Sequence, residues 1–254
     1  MRHSSPIYWC GLLALGGAFL LPAASSPASQ PFRQSYALSP RGRIQIENRY
    51  GNVQISGWDR PEVRIEAVRS APGANILVDA SNDRLAVRTQ YAGAEPENPA
   101  SVEYRITMPR TADLEEVRLF NGGLSIRGVA GAVKATTVNG SIKAEGLQGK
   151  ADLETINGKV EAGFARVSGS QPISLRSVNG RIVLSIPPHA GGQLIAQNRA
   201  GGIETDFDSP APTPNGHHLQ AVLGNGGPRI LLHNVNGGIS IHSSWSRRRV
   251  RPDL

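Results

Sequence analysis

Asn139-Gly140-Ser141-Ile142-Lys143-Ala144-Glu145 is the stretch on which the fold turns. A turn dipeptide leads into a short run of alternating apolar and polar residues, and the pattern recurs. Seven Asn-Gly pairs punctuate the chain, and those at Asn121-Gly122, Asn139-Gly140, Asn157-Gly158 and Asn179-Gly180 are separated by 18, 18 and 22 residues. A fixed period near 20, with a turn and a strand in each unit, predicts stacked coils rather than a layered globule.

Alignment on the Asn makes the columns explicit. Four residues before it stand Ala135, Leu153 and Leu175, and six before it Val133, Ala151 and Ile173. Three after it stand Ile142, Val160 and Ile182, and five after it Ala144, Ala162 and Leu184. A spacing of two puts each set on one face of a strand, and the polar residues between them face outward. Asn tolerates the left-handed region and Gly enters it freely, so Asn-Gly is expected to reverse the chain. A two-residue hairpin is the obvious alternative. Column matching between units favours parallel stacking instead: Lys143 would lie beside Glu161, Lys134 beside Asp152, and Glu154 beside Arg176. Opposite charges so placed add a few tenths of a kcal/mol each, and the aliphatic columns supply most of the stability.

The predicted fold is all-β, a parallel β-helix-like solenoid with about 18–22 residues per coil and irregular capping strands at both ends. Weaker units flank the core: Ile44–Ile55 upstream, and Ala200-Gly201-Gly202-Ile203 and Asn236-Gly237-Gly238-Ile239 downstream. The expected organisation is a signal peptide at 1–28, a linker at 29–43, the repeat domain at 44–242 and a basic tail at 243–254. Arg2 precedes an apolar run, Gly11–Leu21, that is too short to span a bilayer, and small residues follow it. Cys10 is the only cysteine and would leave with that segment, so neither disulfides nor thiolate metal sites are expected. The net charge is +7, and the tail carries nearly half of it, where Arg247, Arg248, Arg249 and Arg251 face only Asp253. Without a basic stripe along the body, no nucleic-acid partner is expected. With Trp245 beside them, these arginines are candidates for contact with an anionic envelope surface.

Three groups of residues carry a resemblance to a known family. They are Asn48-Arg49-Tyr50-Gly51-Asn52-Val53-Gln54-Ile55-Ser56-Gly57-Trp58, then Tyr104-Arg105-Ile106-Thr107-Met108-Pro109, then the Asn-Gly units closing with Gly224-Asn225-Gly226-Gly227 and Asn236-Gly237-Gly238-Ile239. In this order they resemble the bacterial putative adhesin family of exported repeat proteins. The resemblance implies a right-handed β-helix-like solenoid, periplasmic or at the cell surface, with no catalytic residues to carry over. Many members have Ser-Gly or Thr-Gly where this chain has Asn-Gly.

Candidate chemistry is sparse. Asp152, Glu154 and Glu161 would face outward on neighbouring coils, as clustered acids do in polysaccharide-cleaving enzymes. Each has a basic neighbour in Arg176, Lys134 or Lys143, and a basic neighbour favours the ionised carboxylate, the wrong state for a general acid. A salt-bridged ladder is the simpler expectation; Lys143, Glu161, Asp152, Glu154 and Arg176 are the candidate binding residues on it, for an unidentified envelope or surface partner of glycan or protein character. Glu204, Asp206 and Asp208 share one strand face and are a compositional candidate for Ca²⁺. His217 and His218 point apart on an extended chain, and His233 and His242 have no ligand spacing. There is no nucleophile elbow, His-Glu-x-x-His or phosphate loop, so no cofactor is expected. The chain reads as a non-enzymatic binding or scaffolding protein of the envelope. The competing expectations are glycan cleavage and a stress-related periplasmic accessory role.

Overall fold

The computed structural model describes residues 31–91, 99–167, 169, 171–207 and 216–244. Among these residues the fold is all-β: twenty strands form two ten-stranded sheets, most of whose pairings are parallel. The expected signal segment, the arginine tail and most of the Ala92–Ala100 loop lie outside the described residues.

Each of the Asn-Gly pairs at Asn121, Asn139, Asn157, Asn179 and Asn236 joins a strand of one sheet to a strand of the other. The core units are β8 (Asp113–Asn121) with β9 (Leu124–Arg127), β10 (Val133–Asn139) with β11 (Ile142–Leu147), β12 (Ala151–Asn157) with β13 (Val160–Phe164), and β14 (Ile173–Asn179) with β15 (Ile182–Ile186). The first member of each pair stacks in one sheet and the second in the other, all in parallel. The register is the one the columns predict: Ala135 lies opposite Leu153 and Leu153 opposite Leu175, while Ile142 meets Val160 and Val160 meets Ile182. Leu153 and Leu175 are fully buried, in one continuous aliphatic core between the sheets.

The stack does not follow chain order. At the N-terminal side β2 (Arg43–Tyr50) and β3 (Val53–Trp58) adjoin β8 and β9, and β6 (Arg84–Tyr91) and β7 (Val102–Pro109) lie outside them. At the other side β16 (Gly192–Ala200) and β17 (Ile203–Thr205) are outermost. The last unit, β19 (Arg229–Asn236) with β20 (Ile239–Ser243), is inserted between them and β14/β15. Antiparallel strands finish the edges: β4 (Glu62–Arg69) and then β1 (Phe32–Ala37) on β7, β5 (Ala74–Ala80) on β6, and β18 (His218–Leu223) on β16. Residues 29–43 are therefore not simply a linker. Phe32–Ala37 is a strand because the free edge of β4 offers it a full ladder of partners.

The turn works differently from the expectation. Among the described residues no non-glycine residue has a positive φ, so the asparagines are not left-handed. The glycines are required by close approach instead. A Cβ on Gly140 would sit 1.9 Å from the Gly122 carbonyl oxygen, and one on Gly180 1.9 Å from that of Gly158. In the units of Asn157 and Asn179 the residue two before the Asn points inward and satisfies such a carbonyl: Thr155 Oγ1 donates to Gly140 O at 2.8 Å and Ser177 Oγ to Gly158 O at 3.1 Å. In the inserted unit Asn234 Nδ2 donates to Gly180 O at 2.9 Å. Buried polar groups need such partners, and here the neighbouring backbone supplies them.

Candidate functional site

The residues expected to form one charged ladder divide between two faces. Lys143 on β11 and Glu161 on β13 are in register on the outer side of one sheet. The Lys143 ammonium nevertheless lies 2.9 Å from Glu145, and Lys159 lies 2.6 Å from Glu161. Pairs along a strand, two residues apart, replace the expected pair across strands. Asp152, Glu154 and Arg176 are on the outer side of the other sheet. There Arg176 bridges Asp152 at 3.1 Å and Glu154 at 3.7 Å, as expected for Glu154. Lys134 is in register with Asp152 but its ammonium lies 3.7 Å from Glu116. Glu161 thus stands apart from Asp152 and Glu154, which meet at Arg176, because the strands before and after Asn157-Gly158 belong to different sheets.

Glu204 lies on β17, the exposed edge of its sheet. Asp206, just beyond, lies 3.0 Å from His242 Nδ1, a pairing that sequence spacing did not suggest. Asp208 lies outside the described residues. Among the described residues no three His, Cys, Asp or Glu side chains come together as a metal site, and no helix is long and apolar enough to cross a membrane.

The most regular surface is one that the sequence reading passes over. The residue immediately before each Asn is Phe120, Val138, Ile156, Val178 or Val235. Strand register stacks these five across β8, β10, β12, β14 and β19 on the outer face. Phe120, Ile156 and Val178 are 44%, 41% and 38% exposed, and Val138 and Val235 are half-buried. Arg49 continues the row at one end and Arg199 at the other. Next to it runs a ladder of side-chain amides. Asn139 Nδ2 donates to Asn121 Oδ1, Asn157 to Asn139, Asn179 to Asn157 and Asn236 to Asn179, each at 2.8 Å. Tyr50 is in register with Asn121 and extends the ladder with an aromatic ring, packed edge-on against Tyr91 at 5.6 Å. A shallow groove of about 390 Å³ opens at this end, walled by Arg49, Arg118, Phe120, Lys134 and Val138. The signal was readable: an apolar residue at every position before Asn breaks the in–out alternation.

Beneath the aromatic end is a buried polar knot. Asn48 Nδ2 donates to Val102 O at 2.9 Å, and Thr89 Oγ1 donates to Asn48 Oδ1 at 2.9 Å. The Tyr104 hydroxyl lies 2.8 Å from Thr89 Oγ1. Burial pushes the Tyr104 phenol up to about 12, helped by Tyr91 and opposed by the Thr89 hydroxyl and Arg69. This knot holds β2, β6 and β7 together and places no reactive group at the surface.

The whole arrangement, from capping strands to repeat core, has a solved counterpart. In fold this chain resembles a putative cell adhesion protein of Clostridium sporogenes. The TM-score is 0.54 at 10% identity, over 85% of this chain and 100% of the other. A putative adhesin of Bacteroides fragilis is a fainter likeness, with TM-score 0.40 and 12% identity over 85% of this chain and 98% of that one. No protein-family model matches the sequence, and no curated protein matches it. The likeness to the clostridial protein extends to the fold alone.

Proposed function

We propose that this chain is an exported, non-enzymatic β-solenoid that binds or scaffolds a partner at the bacterial cell envelope or surface. Its coils are right-handed, with about 18–22 residues each, between the signal segment at 1–28 and the basic tail at 243–254. The observation that carries this reading is the outward face of the repeat. It offers long, regular columns of side chains, while Asp152 and Glu154 share Arg176 and Glu161 is paired with Lys159 on the other sheet. A recognition surface need only be extended and regular. The clostridial protein of similar fold is described as a putative cell adhesion protein, and the same role suits this chain.

The test is co-sedimentation of the purified chain with isolated bacterial envelope fractions, alongside a turnover screen on acidic and neutral glycans. Saturable binding without turnover is expected. Turnover that disappears in Glu154→Gln or Asp152→Asn would replace this reading with glycan cleavage. The tail adds a second, weaker attachment. Four arginines near anionic lipid contribute about 1 kcal/mol each, and salt screens them over about 8 Å at physiological ionic strength. Deleting 246–254 should abolish low-salt vesicle binding and leave the fold intact.

A further inference from the structure

The geometry points to a linear β-1,4-linked glycan of neutral sugars as the ligand of the Phe120–Val235 row and the Asn121–Asn236 ladder, its long axis perpendicular to the strands. This rests on the envelope-binding reading and names the surface and the ligand class.

The argument begins with unused hydrogen-bonding capacity. A side-chain amide has two N–H donors and two acceptor lone pairs. Each interior rung of the ladder spends one donor on the preceding Asn and one lone pair on the next. One donor and one acceptor therefore remain on each of Asn139, Asn157 and Asn179, all exposed. Beside each amide stands an apolar side chain, Val138, Ile156 or Val178. The pair of columns is thus amphipathic across its width and periodic along its length, with a step of about 4.8 Å set by strand spacing. A β-1,4-linked glycan has the complementary character. Its sugars alternate C–H faces with hydroxyl edges that both donate and accept, and it advances per residue by nearly the same step. Phe120, in the groove, and Tyr50, in register with the neighbouring Asn121, offer the aromatic surface on which a terminal ring can stack.

Charge argues against the other occupants. A second copy docked about a two-fold axis would bring Arg49 of one row against Arg199 of the other, which like charge disfavours. An anionic lipid surface would meet a charge-balanced field on this face, where Arg118, Lys134 and Arg176 are already paired with Glu116, Asp152 and Glu154. A neutral polymer meets neither obstacle.

The experiment uses the full chain without its signal segment, with chitohexaose and cellohexaose in calorimetry and with chitin and cellulose in sedimentation. Binding of at least one of these probes is expected. Ile156→Lys with Val178→Lys, both at exposed positions, should weaken it by about tenfold or more, as for residues central to a contact surface. The milder Ile156→Ser with Val178→Ser serves if the lysine pair lowers the melting temperature. Lys143→Ala with Glu145→Ala, on the other sheet, should bind as the parent does. Glycan binding unchanged by either stripe variant would overturn the site while leaving envelope binding intact. Envelope binding with no affinity for any of the four probes would overturn the ligand class. A concentration-dependent dimer dissolved by Ile156→Lys would assign the row to self-association instead.

Discussion

Asn157 donates its side-chain amide to Asn139 at 2.8 Å and accepts from Asn179 at the same distance, so one residue binds three successive units. Asn157→Ala removes both bonds without changing backbone geometry. The expected cost is about 1–2 kcal/mol at an exposed site. Asn157→Asp keeps the acceptor but sets a carboxylate oxygen against Asn139 Oδ1, and should be no more stable than Ala in urea denaturation at neutral pH. Equal stability of all three would make the ladder a consequence of the stacking and no contributor to it.

Leu153 lies directly between Ala135 and Leu175 in the buried column. Leu153→Ala should cost about 2–5 kcal/mol, the transfer term plus the cavity. Lys143→Ala, whose partner Glu145 is an exposed strand neighbour, should change stability by less than about 1 kcal/mol. Thermal denaturation of the two variants checks the contrast.

Glycines of the repeat should differ sharply among themselves. Gly140→Ala drives a methyl into the Gly122 carbonyl and should cost about 3 kcal/mol or more, since two backbones must separate. Gly202→Ala meets no atom within 4 Å and has no left-handed φ, so it should be neutral or stabilising by up to about 1 kcal/mol. Similar losses in both would point to backbone freedom rather than close approach as the reason for the glycines.

Tyr104 predicts an alkaline weakness. An unfolded tyrosine titrates near 10, and the buried one is pushed up to about 12. Between those values the unfolded chain has lost a proton that the folded chain keeps, so stability falls as pH rises. The loss is on the order of 2 kcal/mol across the window. Tyr104→Phe should be less stable than the parent at neutral pH, by about 1 kcal/mol for the lost hydrogen bond. Its deficit should shrink or reverse above pH 10. A parallel decline of both proteins would remove Tyr104 as the cause.

The repeat period and the aliphatic columns were legible because a stacked strand has no freedom to hide its in–out pattern. Ala135, Leu153 and Leu175 had to share a face once the Asn residues were aligned. The charged pairs were less legible, since register fixes which residues are opposite but flexible side chains choose their own partners: Lys143 turns to Glu145. The division of Glu161 from Asp152 and Glu154 required knowing that the turn carries the chain between sheets. The reason for the glycines lay in a neighbouring unit's carbonyl, which no local rule about turns contains. The Phe120–Val235 row was present in the sequence as a broken alternation, overlooked because attention went to charge. Unit order was not legible, since the segments around Ile203 and Ile239 carry the same Gly-Gly-Ile pattern and match β15 equally well.

The insertion of β19/β20 between β14/β15 and β16/β17, mirrored by β2/β3 near the start, bears on how the molecule is made and unmade. A simple linear array can assemble as it emerges and unzip from either free end. Here the latest core unit is interior, so the C-terminal side of the stack has no outer rung from which fraying can spread, whereas the first described strand, β1, is a sheet edge. The stack cannot close until nearly the whole chain is available. Asn236 must then find Asn179 across 57 residues, a long loop to close and therefore a slow step. A chain stopped short of β19 would leave the edges of β14 and β16 unsatisfied and open to any other strand. The same arrangement that delays completion should make the finished stack hard to open from its C-terminal side, because β19 and β20 are held on both edges.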